Sequence, residues 1–414
     1  SAASVMLNVT GMTVGLPALW FLHRLCFGER DRRAALRFGA FCLAIMGSAG
    51  LLVAALNGAG GISISRDVMN YSARDFGAYE RVLTQFRVIF RYLGLTFLPL
   101  PSWLMLDHYV PKSSGILRPF TTLLGIAGVA GLAGWGVWLY RRHRLATYLL
   151  GWFFILLAVE SSVLPLEMMF EHRMYIPMLG VVFFALYWAH LAAARVSWGG
   201  KAVAAAAVAA ALALAPVAYA RNALYADPVR FWEDNARKAP GKARVHSNLG
   251  TACYWVYDYE GSIRAFRRAM ELDPGKALYA VNLSADYIDM GNPDGAIALL
   301  RRYADREKLP IDYYYNLGIA YFKKGLYREA SPYLLEAMGR NPRKTGVHYH
   351  MGIISMESGD LGEARRQFQK EIENSGQNPA YYYYLGLVAE RMNNPQEARR
   401  YYEVSMRLDG GSFL

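Results

Sequence analysis

The sequence predicts an all-α protein in two parts: a polytopic bundle of transmembrane helices followed by an α-solenoid. Three observations predict it. Apolar runs of about 18 or more residues, the length that crosses a bilayer, recur through the first 220 positions. Small residues recur every 34 positions beyond Ala243. Charge is divided unequally: residues 1–220 hold 18 Lys/Arg and 9 Asp/Glu, whereas residues 221–414 hold 27 and 24. Nine of the +12 formal charges therefore belong to the apolar half and three to the polar half. A nucleic-acid binder concentrates basic residues on its water-soluble surface, so a nearly neutral soluble half excludes that class. A hydrophobic content of 54% excludes disorder. The expected boundaries are a transmembrane domain over 1–220, a linker or first helix over 221–242, and a repeat domain over 243–414.

The apolar runs lie at about 3–22, 39–58, 88–106, 119–140, 145–165, 174–194 and 202–220. The third differs from the rest. It carries Arg91 internally and Pro99 and Pro101 near its end, and proline removes a backbone donor and clashes with the preceding turn. The expectation is a re-entrant or broken segment. With that segment not spanning, the arginine-rich loops 23–38 and 141–144, with 195–201, fall on the cytoplasmic side. Glu171–Tyr175 and the whole C-terminal half then lie outside the cytoplasm, as in a protein of a bacterial inner membrane. The chain starts at Ser1 within an apolar run, which leads to the expectation of further residues upstream. Cys26, Cys42 and Cys253 fit no metal or disulfide spacing and read as small apolar residues.

Gly250, Ser284, Gly318, Gly352 and Gly386 are spaced by 34 residues. With these as position 8 of a unit, position 7 reads Leu249, Leu283, Leu317, Met351 and Leu385. Position 20 reads Ser262, Ala296, Ala330, Ala364 and Ala398, and position 24 reads Phe266, Leu300, Leu334, Phe368 and Tyr402. Small residues at 8 and 20 let two helices approach; large ones at 24 are expected to fill the space between units. This is the pattern of a tetratricopeptide array of five repeats, from about Ala243 to Asp409. The first helix of each unit lines the concave face. Groove candidates are therefore Tyr254 and Phe322, with Tyr315, Tyr349 and Tyr383 at position 5 of three successive units. Stacked phenols suit an extended protein or peptide partner or a sugar, or alternatively only pack on their neighbours. The Lys/Asn set that clamps a C-terminal carboxylate is absent at positions 5 and 9. At the far end Tyr401, Tyr402, Val404 and Met406 are expected to need a cover, from a partner or from further chain.

In the apolar half the richest polar cluster is Glu160, Glu167, Glu171, His172, Arg173 and Tyr175. Ionisable groups at membrane depth are costly and mark function by default. Glu167 and Glu171 would share a face of a helix. Arg173 and Tyr175 suit a phosphate, with His172 as donor or metal ligand, so a divalent metal stays open although no motif requires any cofactor. The alternative is an interfacial loop whose charges pair among themselves. A second set is Gln85, Arg87, Arg91 and Tyr92, beside the broken segment, with Asp107, His108 and Tyr109 after it. Arg87 and Arg91 share a helix face and suit a lipid-linked phosphate, or else pair with the glutamate cluster. His348 and His350 read as core residues rather than a metal pair. No phosphate loop, nucleophile elbow, HExxH or CxxC occurs.

The stretches Thr84–Pro99, Glu160-Ser161-Ser162, Glu171-His172-Arg173-Met174-Tyr175-Ile176-Pro177 and Phe231-Trp232-Glu233-Asp234, followed by tetratricopeptide repeats, resemble the multispanning GT-C glycosyltransferases with C-terminal repeats. Their animal relatives are the transmembrane-and-TPR-containing O-mannosyltransferases. The resemblance implies the C-terminal portion of a GT-C fold. It further implies sugar transfer from a polyprenyl-phosphate donor to protein acceptors gathered by the repeats, with Arg87, Glu171, Arg173 and Tyr175 matching the family stretches. It also implies an acidic catalytic residue in the first outer loop, expected upstream of Ser1, since 59–87 offers only Asp67, Asp75 and Glu80. The alternative is a non-enzymatic, membrane-anchored scaffold for an extracytoplasmic assembly such as a pilus or secretion system.

Overall fold

The computed structural model describes residues 2–28, 76–158, 160–162, 166–306 and 308–410. Among these residues the chain is all-α, with seventeen α-helices and no strand, and it divides into two compact units. The run at 39–58, Cys42, Asp67 and Asp75 lie outside the described residues.

The first unit comprises residues 1–227 and 237–239. Its helices are α1 (Ala2–Phe27), α2 (Ala78–Phe97), α3 (Thr121–Leu139), α4 (Arg144–Ala158), α5 (Pro177–Ala193) and α6 (Gly199–Tyr225). α4 packs on α1, α3 and α5; α2 packs on α3 and α5; α6 packs on α5. The core is small: Val88, Ile89 and Tyr92 meet Phe153, Leu157, Met169, Met174 and Val181. α2 stops at Phe97, Leu98–Leu100 is irregular and Pro101–Trp103 forms a turn, so the expected break at Pro99 and Pro101 is present. Glycine sets the α2–α3 approach, since a Cβ on Gly125 would lie 2.9 Å from the Phe86 carbonyl oxygen. Among the described residues two helices are long and apolar enough to cross a membrane, α3 and α6. The apolar window of α6 buries none of its residues.

The second unit comprises residues 228–236 and 240–414. After α7 (Pro228–Lys238), which straddles the boundary between the units, five helix pairs follow. They are α8 (Ala243–Trp255) with α9 (Tyr259–Leu272), α10 (Ala277–Asp289) with α11 (Pro293–Arg301), and α12 (Ile311–Lys323) with α13 (Tyr327–Arg340). The last two are α14 (Val347–Glu357) with α15 (Leu361–Ser375), and α16 (Pro379–Arg391) with α17 (Pro395–Leu408). Position 8 explains the pairing. A Cβ on Gly250 would lie 2.9 Å from the Phe266 ring, one on Gly318 2.8 Å from Leu334, and one on Gly352 2.8 Å from Phe368. The large residue at position 24 thus seats on the glycine of its own repeat, in addition to the space between repeats that the sequence assigned to it. Phe266 and Leu334 also join the continuous core that runs on into the following repeat, as stacking of dependent units requires. Second helices start on a fixed device: Asp258, Asn292, Asp360 and Asn394 accept from the amides of Gly261, Gly295, Glu363 and Glu397. His348 is buried, its Nδ1 2.5 Å from Gln367 Oε1, as expected for a core residue.

Candidate functional site

Two faces of α2 organise the first unit. Arg81, Gln85, Val88 and Tyr92 follow the i, i+4, i+7, i+11 spacing of one helix face. Arg81 is 0% exposed and donates to four backbone carbonyls: Glu160 O at 2.6 Å, Ser162 O at 3.0 Å, Glu167 O at 3.2 Å, and Leu166 O. Gln85 Nε2 donates to Met168 O (2.9 Å), and the Tyr92 hydroxyl donates to Phe170 O and accepts from Phe170 N. One helix face therefore holds the loop between α4 and α5, the segment with the carboxylates singled out in the sequence.

That loop is not a helix through 166–170, so Glu167 and Glu171 do not share a helical face; Glu171 opens a single 3-10 turn, Glu171–Met174. The reason is visible in the hydrogen bonds, since Arg81, Gln85 and Tyr92 take up the carbonyls a helix would use internally. Arg173 is buried, with its Nε 3.0 Å from Glu160 Oε2 and its Nη1 donating to Glu167 O (2.7 Å). Glu171 Oε1 accepts from Met105 N (2.6 Å) and lies 3.2 Å from His108 Nε2, while Oε2 lies 3.6 Å from Arg221. His172 stacks on Phe170; the partial desolvation of its ring, then the Arg173 charge, lowers its pKa. Tyr175 is exposed. The structure thus joins Glu160 to Arg173 and Glu171 to His108 and Arg221, while the Tyr175 ring stands in the open.

Arg87 and Arg91 occupy the other face of α2. They line a cavity of about 480 Å³ with Phe90, Val110, Leu124 and Gly128. Arg87 Nη1 donates to Pro111 O (2.8 Å) and lies 3.5 Å from Ser113 Oγ. The expected alternative, pairing of these arginines with the glutamate cluster, is not what forms: Arg173 and Arg221 take Glu160 and Glu171. Arg81, the residue that organises the loop, was not among the sequence candidates. Its partners are backbone carbonyls, and only its i−4 relation to Gln85 pointed to it.

In the second unit the groove candidates divide. Tyr383 is 47% exposed at position 5 of the last repeat. Tyr315 and Tyr349 are half-buried and do not stack on one another. Tyr315 packs on His350 (6.2 Å between ring centres) under Lys344, and Tyr349 packs on Tyr381 (5.5 Å) and Tyr384 (5.4 Å). The expected phenol ladder is corrected to separate clusters, because rings from positions 3 and 6 intervene. Burial pushes the Tyr315 phenol up to about 12. Phe322 is half-buried against His350 (4.8 Å) and Tyr327 (5.3 Å). Tyr254 donates to Asp289 Oδ2 at 2.7 Å.

The family model for the tetratricopeptide repeat matches residues 281–344 and 349–412. The second unit carries tetratricopeptide repeats. Among solved structures, the chain is similar to MamA at 23% identity, covering 41% of this chain and 92% of that one, with a TM-score of 0.36. It is similar to YrrB, described as a TPR protein with an unusual peptide-binding site, at 20% identity over 43% and 92%, TM-score 0.36. It is also similar to a thermophilic TPR protein of Thermus thermophilus at 19% identity over 41% and 92%, TM-score 0.35. No curated protein matches the chain. None of the matches reported above is a glycosyltransferase.

Proposed function

We propose that this protein is a membrane-anchored scaffold whose tetratricopeptide array holds an extended segment of a protein partner. The observation that carries this reading is the array itself: five stacked helix pairs whose first helices present Tyr254, Phe322 and Tyr383 with part of each ring uncovered. Aromatic side chains with a polar tip are common anchors for peptide segments. The support for anchoring is α3 and α6, two helices long and apolar enough to cross a membrane. The apolar window of α6 buries nothing against protein, and an apolar surface of that length is stable in lipid rather than water. With the arginine clusters inside, the array lies on the extracytoplasmic side. Protease added to sealed vesicles with the native orientation then removes a tag placed after Leu414; protection of that tag contradicts the placement.

A second reading is favoured by one observation, the apolar cavity that holds Arg87 and Arg91. Two guanidinium groups at the wall of an apolar cavity suit an anionic amphiphile such as a polyprenyl phosphate, the donor a GT-C glycosyltransferase uses. In that reading Arg87 and Arg91 hold the phosphate. Glu160, Glu167, Glu171, His172, Arg173 and Tyr175 then shape the adjoining loop. One paired experiment separates the two. Phe322→Ala with Tyr383→Ala removes the partner that co-purifies with the membrane protein, whereas Arg87→Gln with Arg91→Gln leaves it bound. Loss of the partner only in the arginine variant, together with loss of sugar transfer from a polyprenyl-phosphate hexose, favours the enzyme.

A further inference from the structure

The turn between α8 and α9, in the first repeat, departs from its four counterparts in a way that packing does not explain. The residue before the helix cap is left-handed in all five repeats: Tyr257 at φ 61°, Gly291 at 74°, Gly325 at 73°, Gly359 at 87° and Asn393 at 58°. Glycine and asparagine adopt this backbone readily; a tyrosine is strained there. Burial does not repay that strain, since Tyr257 is 77% exposed and the neighbouring Trp255 74% exposed. Strain kept at an exposed aromatic residue marks a site where the side chain itself is wanted.

Tyr254 and Tyr259 complete an aromatic rim. Ring centres are 5.7 Å apart for Tyr254–Trp255, 6.2 Å for Tyr254–Tyr259 and 6.3 Å for Tyr257–Tyr259, with planes inclined by 70–75°. These edge-to-face pairs hold the rings in one cluster, and Trp255 and Tyr257 remain largely exposed to a cation approaching from solvent. Carboxylates adjoin them. Asp289 is exposed and accepts from the Tyr254 hydroxyl, and Asp286, 0% exposed, has an Oδ1 without a hydrogen-bond partner. Among the described residues no lysine or arginine lies within ion-pair distance of Asp286 or Asp289. Further along the array Asp294, Asp312 and Glu357 each have such a partner, in Lys324, Lys344 and Arg391.

We infer that the first repeat captures a lysine or arginine side chain of the partner segment, seated among Tyr254, Trp255, Tyr257 and Tyr259 beside the Asp289 carboxylate. The inference rests on the scaffold reading and names the chemistry its partner must bring. Charge complementarity selects the occupant: an aromatic rim with carboxylates that no cation among the described residues neutralises attracts a cation and repels an acidic segment.

The test uses the full chain in lipid nanodiscs, labelled with 5-fluorotryptophan, the Trp255 resonance being assigned from Trp255→Phe. The probe is the peptide acetyl-Gly-Arg-Gly-Arg-Gly-amide, and its neutral isostere carries citrulline in place of each arginine. The expected result is a saturable shift of the Trp255 resonance with the arginine peptide and none with the citrulline peptide. Asp289→Asn and Tyr257→Gly each weaken binding by about fivefold or more. Tyr257→Gly does so without lowering the melting temperature, which separates a lost contact from a lost fold. A shift of equal size with citrulline, no shift with arginine, or unchanged affinity in both variants overturns the inference. Partner retention that still depends on Phe322 and Tyr383 under those results leaves the groove reading standing and removes the cation site alone.

Discussion

A left-handed backbone costs a residue with a Cβ about 1–2 kcal/mol, so Tyr257→Gly should stabilise the first repeat by about 0.5–1 kcal/mol after glycine's own entropy is counted. A higher thermal unfolding midpoint checks this, and a lower one would show that the exposed ring packs on something. Asp286, 24 residues from Ser262, presents a different residue-scale effect. Ser262 Oγ lies 2.9 Å from Gly250 O and 2.8 Å from Asp286 Oδ2, yet one hydroxyl carries one proton. Ser262 is the donor in both contacts and shares that proton between them, which favours the ionised carboxylate. Burial outweighs this and pushes the Asp286 carboxyl up to about 6, with the Ser262 hydrogen bond opposing and the Asp289 charge adding. Between about pH 4 and pH 6 the unfolded chain has lost the carboxyl proton while the folded array keeps it. The folded state then binds more protons, so this group's contribution to stability falls as pH rises through that window and is level above it. Asp286→Asn should remove the decline; hydrogen-exchange protection of the α8–α11 amides, followed from pH 4 to pH 7, reads it directly. A decline of the same size in the variant would assign it to another group.

Between residues and repeats, the helix caps show where a local rule is broken. Four of the five second helices in the array begin on Asp or Asn, but α13 begins after Leu326, which has no side chain to offer the first amides. Leu326→Asp should therefore stabilise the array by about 1 kcal/mol, read as a rise in melting temperature of the full chain, while Asp360→Ala lowers it by a similar amount. An unchanged midpoint in both would mean that solvent satisfies these amides as well as a carboxylate does. The pairing of helices was legible in the sequence because the 34-residue spacing repeats one steric fact, a glycine beneath a large residue, as in Gly352 beneath Phe368. The end of α2 was legible because Pro99 lacks the amide a further turn needs. What the sequence did not reveal are relations across long separations. Arg81 meets residues about 80 positions away through backbone carbonyls, which no residue pattern encodes. Likewise Tyr349 sits at a groove position by spacing, and only the structure shows Tyr381 and Tyr384 closing over it.

At the scale of the molecule, the two units treat apolar surface differently. In the first, the apolar window of α6 is uncovered by protein, and Glu160, Glu167, Glu171 and Arg173 sit in a loop held by Arg81. The second buries a continuous apolar core between helix pairs and leaves some aromatic side chains of the first helices partly uncovered. The charge asymmetry between the two halves of the sequence already separated them, whereas the resemblance to glycosyltransferases rested on short stretches around Arg87 and Glu171. The pairing of Glu171 with His108 and Arg221 gives that stretch a structural reason to exist beside any catalytic one. The scaffold reading is tested most directly by placing p-benzoylphenylalanine at position 383, at position 322, and at the exposed Arg328 of α13, in the native membrane. Irradiation should join one and the same partner peptide to positions 383 and 322 and nothing to position 328. Adducts absent from both groove positions, or identical at position 328, would contradict a partner held along the first helices.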